Sequence, residues 1–257
     1  GRAIQGRSRC PHCHRTLRWF ELIPVLSFII QLGRCRRCRA ALSFKYPIAE
    51  ILTGLMFVFV PLRLQSPYFM LYLQSRFHIF AALWMLVFIT LLLIALIDLR
   101  LSIIPDELNI VLLVLGLILI FVSQPGFGFT EGSFLESYAA LFGFRSNIWL
   151  NHIFAALIAG ILFAALIFIT FGRGMGVGDL KLAIPLGIAF GWPDTIFIIG
   201  LAFIIGSIFG AYVMFFRGKT LLSRLPFGPF LSAGAAIIFF FGHQLVKLYL
   251  GLIRAIV

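Results

Sequence analysis

The sequence predicts an all-α, polytopic membrane protein with about seven transmembrane helices and a small N-terminal zinc-binding module on the cytoplasmic side. Hydrophobic residues make up 61% of the chain, charged residues make up 12%, and the mean hydropathy is +1.07. This composition is typical of an integral membrane protein and excludes a soluble fold with a large core. The N-terminal region differs from the rest because it holds all four cysteines, in two C-x2-C pairs.

Positive charge is concentrated before the first long apolar run. Residues 1–46 hold ten of the 21 Lys and Arg residues but only one of the nine acids, Glu21. A basic segment beside a membrane span indicates a cytoplasmic region, and anionic lipid head groups are its expected partners. Basic residues do not alternate with aromatic residues as in a nucleic-acid-binding surface, so we expect no nucleic-acid partner.

The two cysteine pairs have the spacing of a four-thiolate zinc site. A gap of two residues lets both sulfurs of a pair face one tetrahedral ion, and 21 residues separate the pairs. A redox dithiol pair or four unligated cysteines are the alternatives, and a reducing cytoplasm disfavours structural disulfides. We interpret His12 and His14 as bystanders because four sulfurs complete the coordination shell. The expected ligands are Cys10, Cys13, Cys35 and Cys38.

The stretch from Trp19 to Leu32 is apolar but contains Glu21 and Pro24. Only about eight residues follow the proline, which is too few to cross about 30 Å of hydrocarbon. We therefore expect this stretch to pack against the membrane surface or against the helical bundle. The predicted domains are a zinc module over residues 1–46 and a transmembrane helical domain over residues 47–257.

Seven apolar runs follow Pro47. Alternation from a cytoplasmic N-terminus places the loops at 98–106, 172–179 and 217–226 inside, where basic residues are more frequent than in the opposite loops. On the outer side, Ser133 and Glu136 form a capping-box pattern that predicts a short interfacial helix extending to Phe144. The predicted spans are residues 47–64, 79–97, 107–123, 148–171, 180–192, 195–216 and 227–250.

Two aspartates, Asp98 and Asp179, lie at the predicted cytoplasmic border. An ionisable residue at a membrane border is a functional candidate. Two carboxyl groups held close together cannot both ionise easily, so one stays protonated while the other activates water, as in an aspartic protease. Glycines at 174, 176 and 178 permit positive φ angles or a close approach of backbone before Asp179. The structural alternatives are a helix cap at Asp179 and a charge pair between Asp98 and Arg100 or Lys181.

These residues resemble the type IV prepilin peptidases, also called prepilin leader peptidase/N-methyltransferases, which are membrane aspartic proteases with a GxGD motif. The resemblance rests on the order and spacing of several motifs along nearly the whole chain. It implies that Asp98 and Asp179 are catalytic, that Gly176 and Gly178 belong to the active-site loop, and that short basic leader peptides are removed from prepilins or pseudopilins at the cytoplasmic face of the inner membrane. It also implies methylation of the new N-terminus by S-adenosylmethionine. The matching motifs are CPHC, CRRC, Tyr46-Pro-Ile-Ala-Glu50 with Thr53-Gly54, Ile97-Asp98, Ile104-Pro105-Asp106, Gly176-Val-Gly-Asp179 with Leu180-Lys181, and Pro226-Phe-Gly-Pro-Phe230.

Three further residues are candidates for supporting roles. Asp106 either orients the site or caps the helix that starts near Glu107, and we favour the cap. Lys181 should diverge from Asp179 and neutralise lipid phosphate. Glu50 is expected in the first turn of its helix, where it complements the dipole, with a substrate or methyl-donor role as the alternative.

The resemblance also implies an additional membrane helix in front of the zinc module, which the printed chain does not include. A non-catalytic zinc-containing membrane scaffold or transporter is the alternative from another functional class. Within the enzymes, presenilin-like proteases also use GxGD. The cysteine pairs and the border position of the acids argue against that assignment.

Overall fold

The structure is a computed structural model that describes residues 8–66, 69, 76–123, 133–142, 147–172, 174–217 and 226–256. These residues contain eight α-helices, two short 3₁₀ helices and no β-strand beyond two isolated bridges. The expected all-α class is therefore confirmed. The chain forms two compact units, Gly1–Val58 and Phe59–Val257. Residues 1–7, most of the predicted inner loop 217–226 and the end of the predicted outer helix at 143–144 lie outside the described residues.

In the first unit, the two cysteine pairs adopt the same local structure. In each, the N–H of the first cysteine is bonded to a carbonyl five residues later, as in Cys10 to Arg15 at 3.0 Å and Cys35 to Ala40 at 2.9 Å. The residue after each pair takes a positive φ angle, 54° at His14 and 53° at Arg39. A 3₁₀ helix, Trp19–Leu22, and α1, Leu26–Ile30, connect the two pairs, and α2, Lys45–Leu64, follows them.

The second unit is a bundle of six further helices. They are α3 (Phe77–Leu101), α4 (Asp106–Val122), α5 (Ile148–Ile169), α6 (Val177–Phe190), α7 (Asp194–Arg217) and α8 (Gly228–Ile256). Helix α6 packs against α4 and α5, α3 against α4 and α8, and α7 against α8.

Small residues let these helices approach closely, as in other membrane bundles. A Cβ added at Gly187 of α6 would lie 2.5 Å from the Ala156 Cα of α5, and one at Gly116 of α4 would lie 3.0 Å from the Ala189 backbone nitrogen of α6. Helix α6 is therefore held between α4 and α5 by direct backbone contact. These contacts lie in the C-terminal part of α6, and Asp179 lies at the opposite end of the same helix.

In the part of the chain that the structure describes, five helices are long and apolar enough to cross a membrane, namely α2, α3, α5, α7 and α8. The other two predicted spans form helices, but α4 has 17 residues and α6 has 14. The predicted count of seven spans is therefore not confirmed, although a helix is present at each predicted position. Helix α6 is short because Gly191, with a φ of 71°, ends it directly before Trp192 and Pro193.

The segment 133–142 contains a short helix, as predicted, but not the predicted capping box. Its ordered helix is a 3₁₀ helix, Glu136–Phe142. The Ser133 hydroxyl donates to Asp194 Oδ1 at 2.7 Å, and the Phe134 N–H donates to Asp194 Oδ2 at 3.0 Å. Phe134 is 1% exposed and lies against Trp84 and Phe239 in the bundle core. The capping-box expectation is wrong because the buried Asp194 carboxylate binds these donors and draws the segment inward.

Candidate active site

Asp98 is the fourth residue from the C-terminal end of α3, and it is 4% exposed. Its Oδ2 accepts a buried hydrogen bond of 3.0 Å from the backbone N–H of Gly228, the first residue of α8. The N-terminal end of a helix carries a partial positive charge that favours an anion. A Cβ at position 228 would lie 2.8 Å from the same Oδ2, so only glycine leaves room for the carboxylate as it stands.

Asp179 lies in the first turn of α6, after the glycine-rich loop, and is 8% exposed. Its Oδ2 accepts a hydrogen bond of 3.1 Å from the Gly176 N–H, and its own N–H donates to the Gly176 carbonyl at 3.1 Å. These two bonds join the helix start to the loop and hold the carboxylate. A cap interaction is therefore present at Asp179, but the carboxylate also faces the cavity described below.

Two uses were expected for the glycines of this loop, positive φ angles or a close approach of backbone, and the structure does not show the first. None of Gly174, Gly176 and Gly178 has a positive φ angle; the positive φ angles described near this loop are those of Phe171, at 50°, and Gly172, at 69°. Added Cβ atoms at 176 and 178 would meet their nearest atoms at 3.6 Å and 3.5 Å, which is ordinary contact. The two glycines therefore leave space beside Asp179 and do not relieve backbone strain.

The two carboxylates influence each other. Burial raises the pKa of Asp179 to about 6, the Gly176 N–H lowers it, and the negative charge of Asp98 raises it further. Lys181 does not pair with Asp98, so the structural alternative of an Asp98–Lys181 charge pair is wrong.

Both aspartates line one cavity of about 950 Å³. One part of its wall is the glycine-rich loop, together with Ser102 at the end of α3 and Asp106 at the start of α4. Another part is apolar, with Phe203 of α7 and Phe227 and Phe230 at the start of α8. The size, the apolar wall and the few polar groups are those of a site for an extended peptide or another sizeable ligand.

Asp106 and Lys181 also line this cavity and form an ion pair with each other. Lys181 Nζ lies 2.8 Å from Asp106 Oδ1 and 2.9 Å from Oδ2. Pro105 occupies the N-cap of α4, so Asp106 is the first residue of the helix and not its cap. The structure contains no lipid and does not test the expected contact of Lys181 with lipid phosphate. The partner that it shows for Lys181 is the Asp106 carboxylate. The pair joins the start of α4 to the start of α6 across 75 residues of sequence.

Glu50 does not lie in the first turn of α2, which begins at Lys45 and has no acid in that turn. Its Oε2 instead accepts a hydrogen bond of 2.7 Å from the Val25 N–H, at the N-terminus of α1. Glu50 thus binds α1 within the first unit. The expectation that it complements the dipole of its own helix is wrong, because the helix starts at Lys45, two residues before the predicted start at Pro47.

The four cysteine sulfurs lie within 4.8 Å of one another. Their arrangement fits a single ion, and a set of four soft thiolates suits zinc better than calcium or magnesium. Backbone N–H groups of Cys38 and Arg37 lower the pKa of Cys35 to about 6, which favours the thiolate that binds metal.

The sequence interpretation did not assign a role to Gly228. The available signal was the Pro226-Phe-Gly-Pro-Phe230 motif, in which a glycine stands between residues that restrict the backbone. The motif marked a special backbone position but not its partner, because Asp98 is 130 residues away in sequence.

Comparison with known proteins identifies the family. Residues 2–64 match the model of the bacterial peptidase A24 N-terminal domain, and residues 85–211 match that of the type IV leader peptidase family. Proteins named prepilin leader peptidase/N-methyltransferase are similar along most of the chain. That of Aeromonas salmonicida (strain A449) is 32% identical over 96% of this chain and 75% of its own length, and that of Bacillus subtilis (strain 168) is 31% identical over 96% and 86%. A protein of the same name from Burkholderia pseudomallei (strain 1026b) is 34% identical over 92% of this chain and 67% of its own length. No solved structure gives a significant match. This chain belongs to the type IV leader peptidase family.

Proposed function

We propose that this membrane protein is an aspartic endopeptidase that cleaves the leader peptide from type IV prepilins or pseudopilins, with Asp98 and Asp179 as its catalytic pair. The observation that carries the proposal is that both carboxylates are buried, are electrostatically coupled and line one cavity of about 950 Å³. Family membership and the names of the relatives support leader-peptide cleavage as the reaction.

In this mechanism the pair shares one proton, because burial raises the pKa of Asp179 to about 6 and two nearby carboxylates do not both ionise easily; we assign this proton to Asp179 during the attack. The ionised Asp98 takes a proton from water, and the water oxygen attacks the carbonyl carbon of the scissile peptide. Asp179 donates its proton to the carbonyl oxygen and stabilises the tetrahedral intermediate. When the C–N bond breaks, the leaving amine takes the proton from Asp98 and the intermediate hydroxyl returns one to Asp179.

The surrounding residues support this geometry. The Gly228 N–H orients the Asp98 carboxylate, the Gly176 N–H orients Asp179, and the Asp106–Lys181 pair holds the two helix starts near each other. The open space beside Gly176 and Gly178 suits the backbone of an extended substrate, since neither glycine is needed for a positive φ angle.

We further propose that the enzyme methylates the new N-terminus with S-adenosylmethionine as methyl donor, as the names of the relatives indicate for those proteins. The substrates carry short basic leaders, and the protein lies in the inner membrane with its cysteine module and active site on the cytoplasmic side. The distribution of Lys and Arg supports this orientation.

The decisive experiment is cleavage of a prepilin segment by the purified, reconstituted protein. Asp98→Asn and Asp179→Asn should each remove essentially all turnover, because each deletes an ionisable carboxyl while keeping its size. Glu107→Gln is the matched control, since Glu107 is an exposed acid in the first turn of α4 that does not line the cavity. Folded aspartate variants that still cleave would contradict the catalytic assignment. An inactive wild type would instead favour the scaffold alternative.

We propose zinc as the ion of the four-cysteine site. Elemental analysis of the purified protein should find about one zinc per chain. Cys35→Ser should lose most of it, whereas His12→Ala should retain it because His12 is exposed and four sulfurs suffice. A full complement of zinc in the Cys35→Ser protein, or iron in place of zinc in the wild type, would refute the assignment.

A further inference from the structure

An apolar surface in the first unit has no role in the proposed reaction. It comprises the 3₁₀ helix Trp19–Leu22, helix α1, and Gln31 and Leu32, which follow α1. We call it the anchor surface. Trp19 is 78% exposed and Leu32 is 85% exposed. Exposed apolar patches of this kind mark contact surfaces, since isolated apolar side chains are common but contiguous ones are not. Its large exposed side chains are Trp19, Leu22, Leu26, Ile29, Ile30 and Leu32.

Two contacts hold the anchor surface beside the start of α2. The Val25 N–H donates to Glu50 Oε2 at 2.7 Å, and the Phe28 ring lies 5.3 Å from the Phe44 ring in an edge contact. Helix α2 begins at Lys45 and is a candidate membrane span. Glu50 is five residues further, so Val25 lies about 7.5 Å along the axis of this helix. The anchor surface therefore lies beside the first turns of a candidate membrane span.

The positive charge of the first unit lies next to the anchor surface. The second cysteine pair begins at Cys35, three residues after Leu32, and the four arginines in and around this pair are exposed. The Arg36 guanidinium lies over the Phe20 ring, 5.4 Å from its centroid, which ties the arginines to the anchor surface. Among the described residues, none of these arginines forms an ion pair, whereas Glu21 is buried and pairs with Arg15. The arginines are Arg34, Arg36, Arg37 and Arg39.

We propose that the anchor surface lies in the lipid bilayer at the boundary of head groups and acyl chains, and that the four arginines bind the phosphates of anionic lipids. The apolar side chains supply the buried area, and the adjacent cations supply attraction to a negative membrane surface. Charge complementarity and the continuity with a membrane span favour lipid over a protein partner. The surface thus keeps the cysteine module against the membrane.

The test is quenching of Trp19 fluorescence in the full chain reconstituted into nanodiscs. Subtracting the emission of the Trp19→Phe protein isolates Trp19 from the other three tryptophans. Lipids brominated near the upper part of the acyl chain should quench at least half of this difference emission, and aqueous iodide should quench little of it. Strong quenching by iodide alone would place Trp19 in water. Protection from both quenchers would mean that protein, either this chain or a second copy, covers the surface. Either result would overturn the proposal.

The phosphate contact is tested with brominated phosphatidylglycerol and brominated phosphatidylcholine at equal mole fraction. The anionic lipid should quench Trp19 about twofold more, because the arginines concentrate it nearby. Replacing the four arginines with glutamine should remove this preference while leaving the acyl-chain quenching. Lys247→Gln, an exposed cation of α8, is the control and should change neither value. Equal quenching by the two lipids in the wild type would refute the arginine assignment.

Discussion

Replacing Gly228 with alanine should disable the proposed active site without unfolding the protein. The new Cβ would lie 2.8 Å from Asp98 Oδ2 and 3.4 Å from its Cγ, so the carboxylate must move or rotate away. A shift of about 1 Å in a reacting group lowers the rate about 10²-fold, which corresponds to about 2.7 kcal/mol of transition-state stabilisation. The effect on folding should be small, because the obstructing atom is the end of a side chain and alanine favours a helix over glycine by about 1 kcal/mol.

The assay compares kcat/KM for leader cleavage and the unfolding temperature of the wild type, Gly228→Ala and Gly200→Ala in the same detergent. Gly200 of α7 is the matched control, since an added Cβ there meets nothing within 4 Å. We expect an approximately 10²-fold loss for Gly228→Ala, near-normal activity for Gly200→Ala, and unfolding temperatures within a few degrees of the wild type. Full activity of a folded Gly228→Ala protein would refute the argument that this glycine sets the position of Asp98.

Three further predictions follow from the second unit. Asp106→Lys and Lys181→Asp should each lower kcat/KM by about three- to fivefold, in keeping with an exposed ion pair, and the double swap should recover most of it; a double variant no better than the singles would exclude a pairing role. Gly187→Ala should lower the free energy of unfolding by about 2 kcal/mol, because overpacking separates two helices. Gly160→Ala, facing only the flexible Ile184 side chain at 3.3 Å, should be milder, and equal unfolding temperatures would contradict this. Since burial raises the pKa of Asp179 to about 6, the proton needed for catalysis is present below that pH and lost above it. Cleavage rates should therefore fall as pH rises, with an apparent pKa near or above 6, and a profile that is flat from pH 5 to 9 would argue against a shared proton.

Local features of the chain predicted the parts of the structure that depend on neighbouring residues. The helix positions follow from the length and hydropathy of each apolar run. The clustering of the four cysteines follows from two C-x2-C pairs, each of which folds by bonds within six residues, such as Cys10 N–H to Arg15. The paired aspartates were predicted from motif order and topology, and the structure places both in the wall of one cavity.

Other parts of the site depend on residues far apart in the sequence, and no local pattern indicated them. Gly228 binds Asp98 across 130 residues, and Lys181 binds Asp106 across 75. The capping-box pattern at Ser133 was misleading because the Asp194 carboxylate, 61 residues away, binds the same hydroxyl.

The sequence by itself determined the membrane class, the cysteine module, the helix positions and the two candidate aspartates, because hydropathy and short spacings act along the chain. The tertiary structure alone decided which helix start faces Asp98, which cation binds Asp106 and which segment enters the core. The physical reason is that burial makes polar groups seek whichever partner the packed helices bring within hydrogen-bond distance. That partner is set by backbone contacts such as the one at Gly187, not by its distance in sequence.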